Sequence, residues 1–271
     1  MLDNAAGGAT AVETIVRTAT TRQAVRTAGV HPTSVLRDKG EFHNPDVTTR
    51  LRRRHADSVI CMLQQPHYAW PGNNRDLTRL VAQHPWVTMV SATADGPVVT
   101  HLPVVPDPSA DPDADPVVLS HLPLADAHEH QLGDAQTVLV VQGPHGYVSA
   151  EWYSGSPYVS TWNYVVAHLH GIGERLDADG TVDVLRLTQD HFESRRPRPF
   201  DLGGVDSYVH RLAPAVVGFR LRPTTVVAKA KLSQEKPAAD VAGVLAALED
   251  PAEPFANAEL ADAMRRGGLP S

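Results

Sequence analysis

From Trp86 to Lys231 the chain is a succession of short, β-branched runs broken by turn residues. That rhythm restricts the folds open to it. Runs on either side of Ala94-Asp95-Gly96 read as a hairpin, with one strand from Trp86 and the other closing at "THLP" (Thr100–Pro103). "VVLSHLPL" is a further strand, and "TVLVVQG" is a buried one because its apolar residues are continuous. "HGYVSAEWY" and "STWNYVVAHLHGIGERL" follow, with His145 placed in a Gly-Pro turn between strands. "AVVGFRLRPTTVVAKAKLS" is one long strand, or two with a bend at Pro223. Helices are predicted around these runs. "NNRDLTRLVAQHP" has Leu77, Leu80 and Val81 at helical spacing, Asn73 or Asn74 as cap and Pro85 as stop. "VDVLRLTQDHFESR", "AADVAGVLAALED" and "AELADAMRRGG" are the others, and "ADAHEHQLGD" is a short helix or loop. The class is α+β, mainly antiparallel β, with strands closing toward a barrel and helices flanking it. No Gly-rich loop follows a strand, so a doubly wound nucleotide-binding sheet lacks support.

The chain has 271 residues and 42% hydrophobic content, enough for a sizeable core. Its one cysteine, Cys61, excludes a disulfide framework or a cysteine-based zinc site within one chain. It fits a reducing cytoplasm. No charged-then-apolar segment reads as a signal peptide, and no stretch approaches the roughly 18 to 20 apolar residues of a membrane span. Charge is uneven. Residues 1–58 hold nine Arg/Lys against six Asp/Glu, and the remainder fifteen against twenty-five. The acidic body disfavours phosphate backbones. The basic run at Arg50–His55 reads as a solvated charge cluster. Residues 1–61 are expected to be a partly disordered arm, 62–250 the cofactor-binding barrel, and 251–271 a C-terminal helix and tail. A second reading starts the protein at Met62.

Several constellations bear chemistry. "THLP" is echoed by "SHLP" at Ser120–Pro123, so His101 and His121 each end a β run before a proline. Two such imidazoles can meet at a barrel rim, or each can cap local backbone. In the run from Thr161 to His170, alternation puts Trp162, Tyr164, Val166, His168 and His170 on one face. Thr161, Asn163, Val165, Ala167 and Leu169 take the other, more apolar face, which is the predicted core side. His168 and His170 at i, i+2 have no third metal ligand predictable from spacing. In "KAKLSQEKPAADVAG", Lys231, Ser233 and Gln234 have the donors to hold a phosphate. The same residues also suit a strand exit into a helix. No nucleophile with an evident base stands out.

Together, "PHYAW", "THLPVVPD", "QGPHGYVSAEWY", "STWNYVVAHLHG" and "KLSQEKPAADVAGVLAAL" resemble the PaiB-type "FMN-binding negative transcriptional regulator" family over roughly Met62 to Glu249. The resemblance implies a split β-barrel of the flavin-reductase and pyridoxamine-phosphate-oxidase type, a homodimer, and FMN in a groove at the dimer interface. Carried over by motif, the cofactor-binding candidates are His101, His121, Thr161, Trp162, Asn163, Lys231, Ser233 and Gln234. Trp162 and Asn163 are expected close to the ring. One departure stands out. Where the family shows an "ARANP"-like segment, this chain has "LPLADAHEH", with Leu124 at the arginine position and Asp126 at the asparagine position. That exchange weakens any phosphate contact there.

Three functions follow from these features. The first is an FMN-binding protein with a redox, sensing or regulatory role. No helix-turn-helix can be placed, so DNA binding is not expected from the residues themselves. The second is a haem enzyme like the piperazate synthases, which the family resembles and which join two nitrogens of an N-hydroxylated diamino acid. Haem b would take one of His67, His101, His121 or His145 as ligand. The third is a cofactor-free dimeric interaction module.

Overall fold

Hydrogen-bond demand explains the architecture. Eight strands satisfy their backbone groups in one antiparallel system, and helices cover its core-facing side. The computed structural model describes Met62 and residues 65–271, so the expected arm and its basic run lie outside the described residues. Helix α1 (Asn74–Gln83) starts in a reciprocal cap, with Asp76 N donating to Asn73 Oδ1 at 3.1 Å and Asn73 N to Asp76 Oδ2 at 3.0 Å. It buries Leu77, Leu80 and Val81. Strands β1 (Trp86–Thr93) and β2 (Gly96–Pro103) form the expected hairpin. Gly96, at φ 118°, takes the turn conformation that a side chain would strain.

Strands β3 (Val105–Pro106), β4 (Val118–Pro123), β5 (Gln136–Val148), β6 (Thr161–Arg175), β7 (Val216–Leu221) and β8 (Thr225–Lys231) complete the set. The path runs β2-β1-β5-β6-β7-β4-β3, with β8 also on β6, and it does not close. The fold is the expected antiparallel split barrel with flanking helices. Helix α2 (Leu124–Glu129) follows β4, and α3 (Ala178–Glu193) and α4 (Asp206–Leu212) lie between β6 and β7. Helices α5 (Ala238–Glu249) and α6 (Ala258–Arg265) end the chain. The sequence reading gave no element to 206–212.

Strand β6 joins the two halves. Its residues 164–170 lie between β5 and β8, and 173–175 pair with β7. The β7–β8 pair is one strand line bent at Pro223, where Thr224 N donates to His170 O at 2.8 Å. Gly171 makes room for the bend, since a Cβ there would approach Arg222 O to 2.9 Å. One expectation is corrected. Gly143–Pro144 is not a turn, because β5 continues through it as a bulge between Gln142 and His145. The bulge absorbs the proline's missing donor without breaking the ladder.

Burial along β6 alternates as predicted. Asn163, Val165, Ala167 and Leu169 are buried, and their neighbours are exposed or half-buried. The core also takes Val244 and Leu248 of α5 and Leu260 and Ala261 of α6, all fully buried. Residues past Asp250 therefore pack into the same compact unit.

A short polar chain crosses this core. His130 Nδ1 lies 2.8 Å from Ser91 Oγ, which lies 2.8 Å from Thr137 Oγ1. Burial holds the His130 pKa below its usual value, and Asp126 only partly opposes this. A histidine pKa lowered by folding stabilises the protein above the unfolded value of about 6.5. That stability is lost as pH falls below it, because the unfolded chain takes the proton first. Urea midpoints should therefore drop between neutral and mildly acidic pH. Ser91→Ala should cost about 1–3 kcal/mol at neutral pH by leaving the buried His130 Nδ1 without its partner.

Candidate functional site

The outward face of the main sheet changes character along its length. Register places His101, Thr88, Val140, His168 and Val227 in one row, and Val99, Val90, Val138, His170 and Thr225 in the next. Directly opposed residues share a face, so this surface is valine-rich. Toward the other end the rows become His145–Tyr164–Lys231 and Tyr147–Trp162. Here aromatic rings gather. Tyr147 lies 4.9 Å from Phe255 and 6.4 Å from Trp162, and His145 stacks on Trp162 at 6.4 Å. Trp162 remains 48% exposed.

Lys231 stands at the edge of this platform. Its Nζ donates to Thr161 Oγ1 at 2.5 Å and to the Trp162 carbonyl at 3.0 Å. Burial lowers its pKa, with Lys229 and Lys236 adding to the effect and Glu235 opposing it. Thr161, Trp162 and Lys231 therefore form one group with a fixed ammonium beside an exposed indole.

Asn163 leaves the opposite face of β6 and is fully buried. Its Nδ2 donates to Ser233 Oγ at 3.0 Å. Gln234 accepts from Leu232 N at 2.6 Å and donates to the carbonyls of Ala230 at 2.6 Å and His67 at 2.9 Å. The structure thus divides the motif-derived set. Ser233 and Gln234 fasten the exit of β8 and the segment at His67, and Asn163 ties to them beneath the sheet.

The rest of "KLSQEKPAADVAG" clamps the loop between Tyr153 and Ser160. Asp240 Oδ1 accepts from Ser154 N at 2.8 Å, Ser154 Oγ at 2.7 Å and Gly155 N at 2.9 Å. These bonds hold its carboxyl below the usual range. The Lys236 ammonium sits 4.2 Å above the Tyr158 ring. These partners were missed from sequence, because Asp240 and the loop lie more than eighty residues apart.

The two histidine-proline motifs meet through backbone rather than through their rings. Ser120 Oγ donates to Pro103 O at 2.5 Å. His101 is exposed and stacks on Trp86 at 6.5 Å. His121 turns toward a separate cavity of about 670 Å³, walled by Pro103 and Val216 and by α3 and α4 residues such as Phe192 and Leu212. Its Nδ1 and the Thr188 Oγ1 are buried without a partner, although both residues border the cavity. Burial lowers the His121 pKa, so the ring is neutral. Of the four histidines expected as haem ligands, His67, His101 and His145 are exposed, and only His121 lines this cavity. Val216 opens β7 and Lys231 ends β8, so the cavity and the ammonium lie toward opposite ends of one strand line.

Helix α5 approaches the Trp152 backbone closely at Gly243. A Cβ there would run into the Trp152 carbonyl oxygen. Gly243→Ala should cost about 1–3 kcal/mol by overpacking. It should also raise proteolysis within residues 153–160, as read by limited digestion.

Comparison with known proteins follows the geometry. Over residues 62–225 the chain matches the family described as "Putative FMN-binding domain". "Protease synthase and sporulation protein PAI 2" of Bacillus subtilis (strain 168) is 26% identical over 193 residues, spanning 70% of this chain and 91% of that one. Among solved structures, the FAD and heme binding protein from Mycobacterium smegmatis is 18% identical with a TM-score of 0.45, covering 61% of this chain and 75% of that one. The flavocytochrome Anf3 from Azotobacter vinelandii is 19% identical with a TM-score of 0.46, covering 64% and 74%. The family match spans more than half of the chain, and the chain therefore belongs to that FMN-binding-domain family.

Proposed function

We propose that the protein binds FMN at the Thr161–Trp162–Lys231 corner of the outward sheet face, and that a second copy covers the valine-rich part of the same face. The observation that carries this is the pairing of a fixed ammonium with an exposed indole. A phosphate needs a cation with its direction set, and a flavin ring needs a flat apolar surface. Lys231 and Trp162 offer both, and the family's cofactor is FMN. Asn163, Ser233 and Gln234 support the site from beneath by fixing β6 against the exit of β8.

The dimer reading rests on the face itself. A sheet side bathed in water is expected to alternate to polar residues. Here Val90, Val138, Val140 and Val166 are half-buried and Val99 is 55% exposed. His101 lies in one of these valine-bearing rows, so its part in the cofactor site would come through the partner copy. The role that follows is redox or sensing, in the cytoplasm. A regulatory role is the family's expectation, and the acidic body argues against direct contact with DNA.

Haem is the second reading, favoured by one observation: the neutral His121 borders an apolar cavity. Haem also carries two carboxylates. No Arg or Lys lines that cavity, and Glu193 does. FMN therefore comes first.

FMN titration followed by flavin fluorescence checks the site. Lys231→Ala should weaken binding about tenfold, or about 1.4 kcal/mol. Unchanged affinity would remove Lys231 from the site. Light scattering checks the dimer. Val138→Glu should yield a folded monomer, and a monomeric parent protein would end the dimer reading.

A further inference from the structure

Asp240 is an unusual carboxylate for its place in the chain. It sits in the first turn of α5 and is only 1% exposed. A first-turn acid commonly reaches back to the backbone N–H of the residue that caps its own helix. Here that residue is Pro237, which has no N–H to offer. Asp240 serves a different segment instead. Its Oδ1 takes three donors from Ser154 and Gly155, at 2.7–2.9 Å. A buried carboxylate keeps its charge without a large penalty only where such donors meet it. Helix and loop are thereby committed to one geometry.

The loop leads straight into the proposed FMN corner. It separates the short helical turn Ala150–Trp152 from the start of β6. Most of it has little to pack on, since residues 154–157, Val159 and Ser160 are exposed. At its far end Ser160 Oγ accepts from Ala150 N at 3.0 Å. The next two residues hold the ammonium. Lys231 Nζ donates to Thr161 Oγ1 at 2.5 Å and to the Trp162 carbonyl at 3.0 Å. Thr161 pairs with Val148 as the last rung of the β5–β6 ladder. The end of a ladder opens before its middle, and a loose loop beyond it favours that opening. Both acceptors of Lys231 thus lie where β6 is secured by β5 on one side and by a loop tied to Asp240 on the other.

We propose that Asp240 is a positioning residue for the FMN site, which through the loop at 153–160 keeps Thr161 and the Lys231 ammonium in the geometry that receives the phosphate. The proposal rests on the FMN reading and deepens it.

The test is a double-mutant cycle on the full chain, with FMN and riboflavin titrated by flavin fluorescence. Riboflavin has the same ring and lacks the phosphate. Asp240→Ala should weaken FMN about tenfold and leave riboflavin affinity unchanged. In the Lys231→Ala background it should have no further effect, because the two residues act on one contact. Asp240→Asn keeps an oxygen for the three donors and should bind FMN within about twofold of the parent. Urea midpoints show which variants are folded. Should Asp240→Ala not fold, Ser154→Ala removes one of the three bonds at an exposed position and should weaken FMN about two- to threefold. Parent-like FMN affinity in folded Asp240→Ala, or in Ser154→Ala where it takes that place, would overturn the proposal. So would an equal loss of riboflavin binding, which marks a general structural role, or additive effects of Asp240→Ala and Lys231→Ala. Each of these leaves the FMN reading standing. A parent protein that does not bind FMN, or Lys231→Ala with parent affinity, would remove that reading and this proposal with it.

Discussion

Everything in this fold hangs on the two-sidedness of β6. One strand of fifteen residues lends its middle to β5 and β8 and its end to β7, so it belongs to both halves of the split barrel. Its side chains have a period of two, and a slip of one residue would exchange every inward group for an outward one. Leu169 and Val165 would then face out, and His168 and Tyr164 would enter the core. The register is fixed by that cost. The consequence reaches the site, because the alternation that buries Asn163 also exposes Trp162.

This constraint explains why one motif serves two purposes. In "TWNY" the outward residues build a surface and the inward residue holds the frame. "KLSQEKPAAD" divides in the same way. Lys231 points its ammonium along the outer edge, and Ser233, Gln234 and Asp240 spend their polar atoms on chain contacts. A motif whose every polar atom were free for a ligand would leave the loop at 153–160 unsupported. One whose every atom were structural would leave no cation at the platform.

Much of this was legible in the sequence, for physical reasons. The hairpin at Ala94–Gly96, the capped helix after Asn73, the bend at Pro223 and the faces of β6 all follow from local rules of turn, cap and period. What was not legible depends on distance along the chain. Pro144 reads as a turn because the rule is local, yet β6 supplies a partner strand that lets β5 bulge past it. Asp240 reads as a helix first-turn acid, yet its partners lie more than eighty residues earlier. The pairing of His101 with His121 fails similarly. The proline after each histidine was correctly read as a strand end, but period alone could not say that the rings would face different surroundings.

The departure at Leu124 and Asp126 now has a structural context. Neither residue lines the cavity beside His121. Leu124 starts α2 and is 49% exposed, and Asp126 lies close enough to His130 to oppose part of its desolvation. Replacing an arginine-bearing pattern there removes a cation without adding an anion to the cavity wall, which already has Glu193. The two ends of the β7–β8 line thus differ in what they can solvate. At one end an oriented ammonium meets exposed aromatic rings, and at the other apolar side chains surround a cavity whose one carboxylate is ion-paired to Arg196. Coulomb interactions strengthen as water is excluded, so a phosphate gains most at the end that holds the ammonium.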